Sequence, residues 1–130
     1  MYNYKLEDIA SLKISINKGN IIFLYGDLRA GKTTLSKHII NDILGIKEDV
    51  RSPTYTYYNK YGNNIYHFDL YRLKNYDEFF AIGGEEILDN PDNICIIEWP
   101  EILEKYFKAD IVIKLGKISE TERSIDIVYK

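Results

Sequence analysis

Ile21-Ile22-Phe23-Leu24-Tyr25-Gly26-Asp27-Leu28-Arg29-Ala30-Gly31-Lys32-Thr33-Thr34 is the stretch on which the reading of this chain turns. Its first five residues form an unbroken apolar run, which suits a parallel strand covered on both faces better than a half-exposed one. Beyond the glycines, Leu35, Ile39, Ile40, Ile43 and Leu44 recur at helical spacing, and Gly45 supplies a stop. The order is therefore strand, glycine-bounded loop, helix. The loop from Gly26 to Thr33 fits GxxxxGK(S/T), a pattern expected by chance in only on the order of a few chains per thousand of this length.

That context gives the pattern a physical meaning. Glycines let a backbone wrap closely, its N–H groups turn inward toward phosphate oxygens, and the helix start adds partial positive charge. Lys32 is placed to reach the β- and γ-phosphates, and the Thr33 hydroxyl to bind Mg²⁺. Nucleotide binding is the expectation.

Working outward, further strands are expected at Ile65 to Leu70, Ile94 to Ile97, Ile111 to Leu115 and Ser124 to Tyr129, with a polar turn beginning at Gly116. Helical patterns fall near Leu6 to Leu12, Tyr76 to Leu88 and Glu101 to Phe107. Such alternation predicts an α/β sandwich with a largely parallel central sheet and an antiparallel C-terminal strand pair. The 130 residues, 45% hydrophobic and 28% charged, fit a single domain over 1–130.

Seventeen basic and twenty acidic side chains leave a net charge of −3, and the sequence pI is about 5.4. This is not the balance of an autonomous nucleic-acid binder, so any RNA is expected to be held through a partner. The single cysteine, Cys95, lies in an apolar run and can form no intrachain disulfide, which fits a reducing cytoplasm. The first eight residues carry no export signal, and nothing later approaches a membrane-spanning length. Tyrosine is in surplus, 12 residues against 5 Phe and 1 Trp, and a surplus serves a half-exposed partner surface as readily as a core.

A bound metal needs an acidic partner, usually at the C-terminal end of an apolar strand. Glu98 directly follows Ile94-Cys95-Ile96-Ile97, and Asp69 comes late in Ile65-Tyr66-His67-Phe68-Asp69. Carboxylates at strand ends lie on the ligand side of open α/β sheets, although each could instead be a cap or a salt-bridge partner.

Four segments taken together resemble the TsaE (YjeE) family of bacterial P-loop ATPases in tRNA threonylcarbamoyladenosine biosynthesis. LYGDLRAGKTT is similar to the family's GDLGAGKTT form, and Ser52-Pro53-Thr54-Tyr55 to its SPTY segment. His67-Phe68-Asp69-Leu70-Tyr71-Arg72-Leu73 is similar to its HFDLYRL strand, and Glu98-Trp99-Pro100 to its EWP. The resemblance implies a P-loop NTPase-like fold whose loop, Gly26, Asp27, Leu28, Arg29, Ala30, Gly31, Lys32, Thr33 and Thr34, binds ATP. It implies Mg²⁺ on Thr33 and Glu98, with Lys32, Asp69 and Glu98 as the catalytic set. Thr54 would sense the γ-phosphate from a switch-like loop, and Trp99 would pack beside the site. The implied activity is an ATPase weak alone and stimulated by TsaB and TsaD, which themselves perform the transfer to tRNA; hydrolysis would support or reset their cycle.

The chain departs from the family form at Arg29, where glycine is usual; an outward-pointing, tolerated side chain is expected there. His67 reads as a hydrogen-bonded core histidine, and His38 as a surface residue. Arg72 could be an arginine finger, but is expected rather to pair with a carboxylate and fix the strand end. Tyr55, Tyr57, Tyr58 and Tyr61 fit either a half-buried strand or a partner surface. A small P-loop kinase is the alternative function, against which the sequence offers no obvious acceptor domain or Arg-rich lid. A small GTPase would need an NKxD motif, and both near-matches, at Asn17 and Asn59, fail at the fourth position.

Overall fold

The structure is a computed structural model that describes residues 2–27, 30–53 and 56–130. The Leu28, Arg29, Thr54 and Tyr55 readings fall outside the described residues.

The apolar run Ile21–Tyr25 forms β2, at the middle of a seven-stranded sheet. The other strands are β1 (Tyr2–Lys5), β3 (Tyr58–Tyr61), β4 (Ile65–Asp69), β5 (Ile94–Glu98), β6 (Ile111–Lys117) and β7 (Glu122–Tyr129). Their order is β1-β7-β6-β2-β5-β4-β3. The four central strands, β6, β2, β5 and β4, are mutually parallel, and the β6–β7 pair is antiparallel, as expected. Antiparallel strands also close both edges, with β1 on β7 and β3 on β4.

Helix α1 spans Lys32–His38 and continues as a π turn over Ile39–Ile43 before Gly45, at φ 73°, ends the segment. The pattern over residues 76–88 divides into α2 (Tyr76–Ala81) and α3 (Gly84–Asp89). The break lies at Gly83, whose φ of 84° is left-handed and interrupts the helical hydrogen bonds. Asn75 caps α2 by accepting from the Glu78 N–H at 3.1 Å. Leu6–Ser11 and Pro100–Leu103 are 3-10 helices, shorter than the patterns around them.

The central strands carry apolar residues on both faces because both faces are covered. Ile22 and Leu24 of β2, with Ile94 and Ile96 of β5, pack under Leu35, Ile39 and Ile40 of the α1 segment. Phe23, Cys95 and Ile97 point the other way, to Phe68, Phe79, Leu88 and Leu103. On that second face Phe68 and Phe79 have ring centroids 5.7 Å apart, and Tyr76 and Tyr106 stack at 3.9 Å. Among the described residues no helix is long and apolar enough to cross a membrane.

Candidate functional site

Parallel strands bring their C-terminal ends to one edge, and here those ends carry the chemistry. Leu24 of β2 is in register with Glu98 of β5, which is in register with Asp69 of β4. Side chains alternate along a strand, so Asp69 and Glu98 continue the face that holds Ile65, Ile94 and Ile96 and is covered by α1. The two carboxylates thus stand side by side at the edge from which the chain crosses from Tyr25 to Lys32.

That crossing ends at Gly31, the residue before α1, with φ 98° and no side-chain cap. The first turn contains no acidic residue, so its amides meet no competing carboxylate of their own. Lys32 is 6% exposed, and its ammonium turns back to donate to the Gly26 carbonyl and, at 3.2 Å, to that of Asp27. It also lies 4.0 Å from the centre of the Trp99 ring. Burial lowers the Lys32 pKa, opposed by the negative charges of Glu98 and Asp69. Trp99 takes φ 57°, turning the chain sharply after β5, and its ring meets Tyr71 at 4.8 Å.

Glu98 is 3% exposed, and its carboxylate lies at hydrogen-bond distance, 2.5 Å, from Nε2 of His67, itself fully buried. The reading of His67 as a hydrogen-bonded core residue therefore matches its setting. Asp69 is less enclosed: it accepts from the Tyr71 N–H at 3.0 Å, while burial first and Glu98 second push its pKa up. Arg72 is exposed in the turn after β4 and is not among the residues lining the cleft described next.

These groups open into a cleft of about 500 Å³. Asp27, Gly31, Lys32, Thr33 and Thr34 form one wall, and Asp69, Glu98 and Trp99 form the floor, with Ser52 at the rim region. Lys117, Glu120 and Arg123, from β6, β7 and the turn between them, line it as well. The sequence reading missed this last trio. The available signal was Arg123 itself, a cation at the inward position of an alternating strand whose next inward residue is Ile125.

His38 is not a surface residue. It is 4% exposed, with Nδ1 at 2.8 Å from the Asp42 carboxylate and Nε2 at 2.7 Å from the Leu12 carbonyl. The segment after the first 3-10 helix lies over that face of α1 and buries it. Of the tyrosine cluster, Tyr58 packs on Tyr66 and Phe68, and Tyr61 is buried with its hydroxyl accepting from the Arg51 N–H. These contacts match the half-buried-strand reading.

Among the described residues, no three His, Cys, Asp or Glu side chains converge into a metal site built by protein alone. The Thr33 hydroxyl and the Glu98 and Asp69 carboxylates are instead a small set of hard oxygen donors. Such a set suits Mg²⁺, which keeps waters and takes further ligands from substrate phosphates.

A parallel sheet, a glycine-bounded turn into a helix, and a lysine returning over that turn beside strand-end carboxylates together define an α/β protein of the P-loop NTPase-like class. The chain belongs to the TsaE family: the description "Threonylcarbamoyl adenosine biosynthesis protein TsaE" matches residues 4–125. It is 40% identical over 121 residues to the tRNA threonylcarbamoyladenosine biosynthesis protein TsaE of Haemophilus influenzae, covering 90% of this chain and 75% of that one. With the TsaE of Borreliella burgdorferi it shares 44% identity over 113 residues, or 84% and 81% of the two chains. Among solved structures it is similar to Bacillus subtilis YdiB, with a TM-score of 0.64 and 26% identity over 92% of this chain and 72% of that one. Membership places the chain in threonylcarbamoyladenosine biosynthesis, hence in tRNA processing.

Proposed function

We propose that this chain, acting as one domain over 1–130, is the Mg²⁺-dependent ATPase subunit of the tRNA threonylcarbamoyladenosine machinery. It would work with TsaB and TsaD, supporting or resetting their cycle and leaving the transfer to them. The observation that carries the reading is the placement of the Lys32 ammonium, buried over the turn before α1 and facing two carboxylates. A buried lysine whose hydrogen bonds among the described residues go to backbone carbonyls is a cation held ready for an anionic ligand.

In this reading the amides of Gly31 to Thr34 receive phosphate oxygens, and Lys32 leaves its carbonyl partners to bridge the β- and γ-phosphates. Gly26, Asp27 and Ala30 shape the turn. Thr33 and Glu98 would hold Mg²⁺, which would supply charge neutralisation at the phosphates. Asp69, the more accessible carboxylate, orients the attacking water. His67 keeps the Glu98 carboxylate aimed. The net charge of −3 leaves tRNA to the partners.

The test is phosphate release from Mg-ATP by wild type, Lys32→Ala, Thr33→Ala and Glu98→Ala, each with and without TsaB and TsaD. Wild-type turnover is expected to be slow alone and to rise with the partners; Lys32→Ala and Glu98→Ala should lose on the order of a hundredfold. Full Mg²⁺-dependent turnover by Glu98→Ala would contradict the metal assignment. Phosphate appearing on a small acceptor would overturn the ATPase reading.

A further inference from the structure

Arg123 is a buried cation in the cleft lining, outside the set of Lys32, Thr33, Asp69 and Glu98. It stands on β7 and is 7% exposed. Its Nε donates to the Ala30 carbonyl at 3.1 Å, while Nη1 donates to the carbonyls of Ser119 at 2.6 Å and Glu122 at 3.1 Å. One guanidinium on Arg123, 93 residues from Ala30, therefore joins the turn before α1 to the turn between β6 and β7. Across the β1–β7 register it faces Tyr4, which closes its outer side.

The place of the bond matters more than its strength. Ala30 is 3% exposed, and its carbonyl belongs to the same planar peptide as the Gly31 N–H. Fixing that oxygen fixes the direction of the N–H on the opposite side of the peptide. Gly31 then takes φ 98° and α1 begins, so this peptide sets the aim of the amides that follow. A Cβ at Gly31 would lie 3.6 Å from Arg123 Nε, which puts the guanidinium directly against the residue that starts the helix.

We propose that Arg123 is a positioning residue for nucleotide binding: by tying the Ala30 carbonyl to the C-terminal hairpin, it fixes the Ala30–Gly31 peptide in the orientation that receives phosphate. The inference rests on reading the cleft as a nucleotide site. It also explains why arginine stands there. A planar fork can serve carbonyls on two segments at once, whereas a lysine offers a single point charge.

The experiment measures Kd for a fluorescent ADP analogue, and KM and kcat for ATP, well below the melting temperature of each protein. Wild type is compared with Arg123→Met, Arg123→Lys and Lys32→Ala. Arg123→Met should weaken binding about tenfold and raise KM, with kcat at saturation within about twofold of wild type. Arg123→Lys should fall between the two. A role confined to stability would lower the melting temperature and leave Kd where it was. A Kd for folded Arg123→Met within about twofold of wild type overturns the inference. If Arg123→Met does not fold, Arg123→Lys decides alone: a Kd raised about threefold or more supports the role, and a smaller change refutes it. Binding by Lys32→Ala as tight as wild type would instead remove the nucleotide reading on which the inference stands.

Discussion

Replacing His67 with leucine tests how the carboxylate at the end of β5 is held. The two side chains are similar in size, so packing on the α1 face of β4 is largely kept. What is lost is the Nε2 hydrogen bond to Glu98, whose carboxylate is 3% exposed and has little water to replace it. Losing a bond to a charged group and leaving the acceptor buried together cost about 3 kcal/mol. The substitution also removes His67 Nδ1, which is buried with no hydrogen-bond partner among the described residues, and so returns about 1 kcal/mol. The net expectation is a loss of about 2 kcal/mol at neutral pH, read from urea unfolding. Replacing both residues, His67→Leu with Glu98→Leu, removes the stranded charge, and the pair should then be more stable than His67→Leu alone. A loss under about 0.5 kcal/mol for His67→Leu, or strict additivity in the double-mutant cycle, would refute the claim that His67 holds Glu98.

Four further outcomes follow from the same geometry. The lowered pKa of Lys32 means the unfolded chain binds that proton more tightly, so stability should rise with pH on approach to the usual 10.5; Lys32→Met should lose that slope in alkaline unfolding curves. Gly84→Ala would set a Cβ 2.3 Å from the ring of the fully buried Phe79, and should cost about 1–3 kcal/mol in a denaturant melt. Burial pushes the Cys95 thiol up to about 12, so a thiol reagent at pH 8 should find it only after unfolding. Tyr61→Phe removes the hydroxyl that accepts from the Arg51 N–H, and should cost about 1 kcal/mol while leaving nucleotide affinity unchanged.

The centre of the sheet was legible because buried parallel strands announce themselves as continuous apolar runs. Ile21 to Tyr25 and Ile94 to Ile97 needed no partner to be recognised, and the second strand runs one residue further, to Glu98. The edges were not legible in the same way. β1 buries only Tyr4 of its four residues and exists through its pairing with β7, information that lies more than a hundred positions away. The length of the α2–α3 pattern was right and its continuity wrong, since helical periodicity does not register a left-handed glycine at 83. His38 was misplaced for a related reason: helical position says which side chains share a face, but not that residues around Leu12 cross it.

The site divides along the same line. Lys32, Asp69 and Glu98 sit at the ends of elements whose direction the sequence already implies, and a parallel arrangement forces such ends onto one edge. Lys117, Glu120 and Arg123 reach that edge by another route. β7 runs antiparallel to β6, so its beginning, not its end, lies beside the C-terminal end of β6. The turn between them is thereby carried to the cleft, although β7 contributes no recognisable motif. An antiparallel strand thus does for this site what a parallel one could not: it delivers a turn to the ligand side without a crossover helix. The hairpin is tied to the turn before α1 through Arg123. The guanidinium that holds the Ser119 and Glu122 carbonyls of the hairpin therefore also holds the Ala30 carbonyl, so the two segments share one anchor.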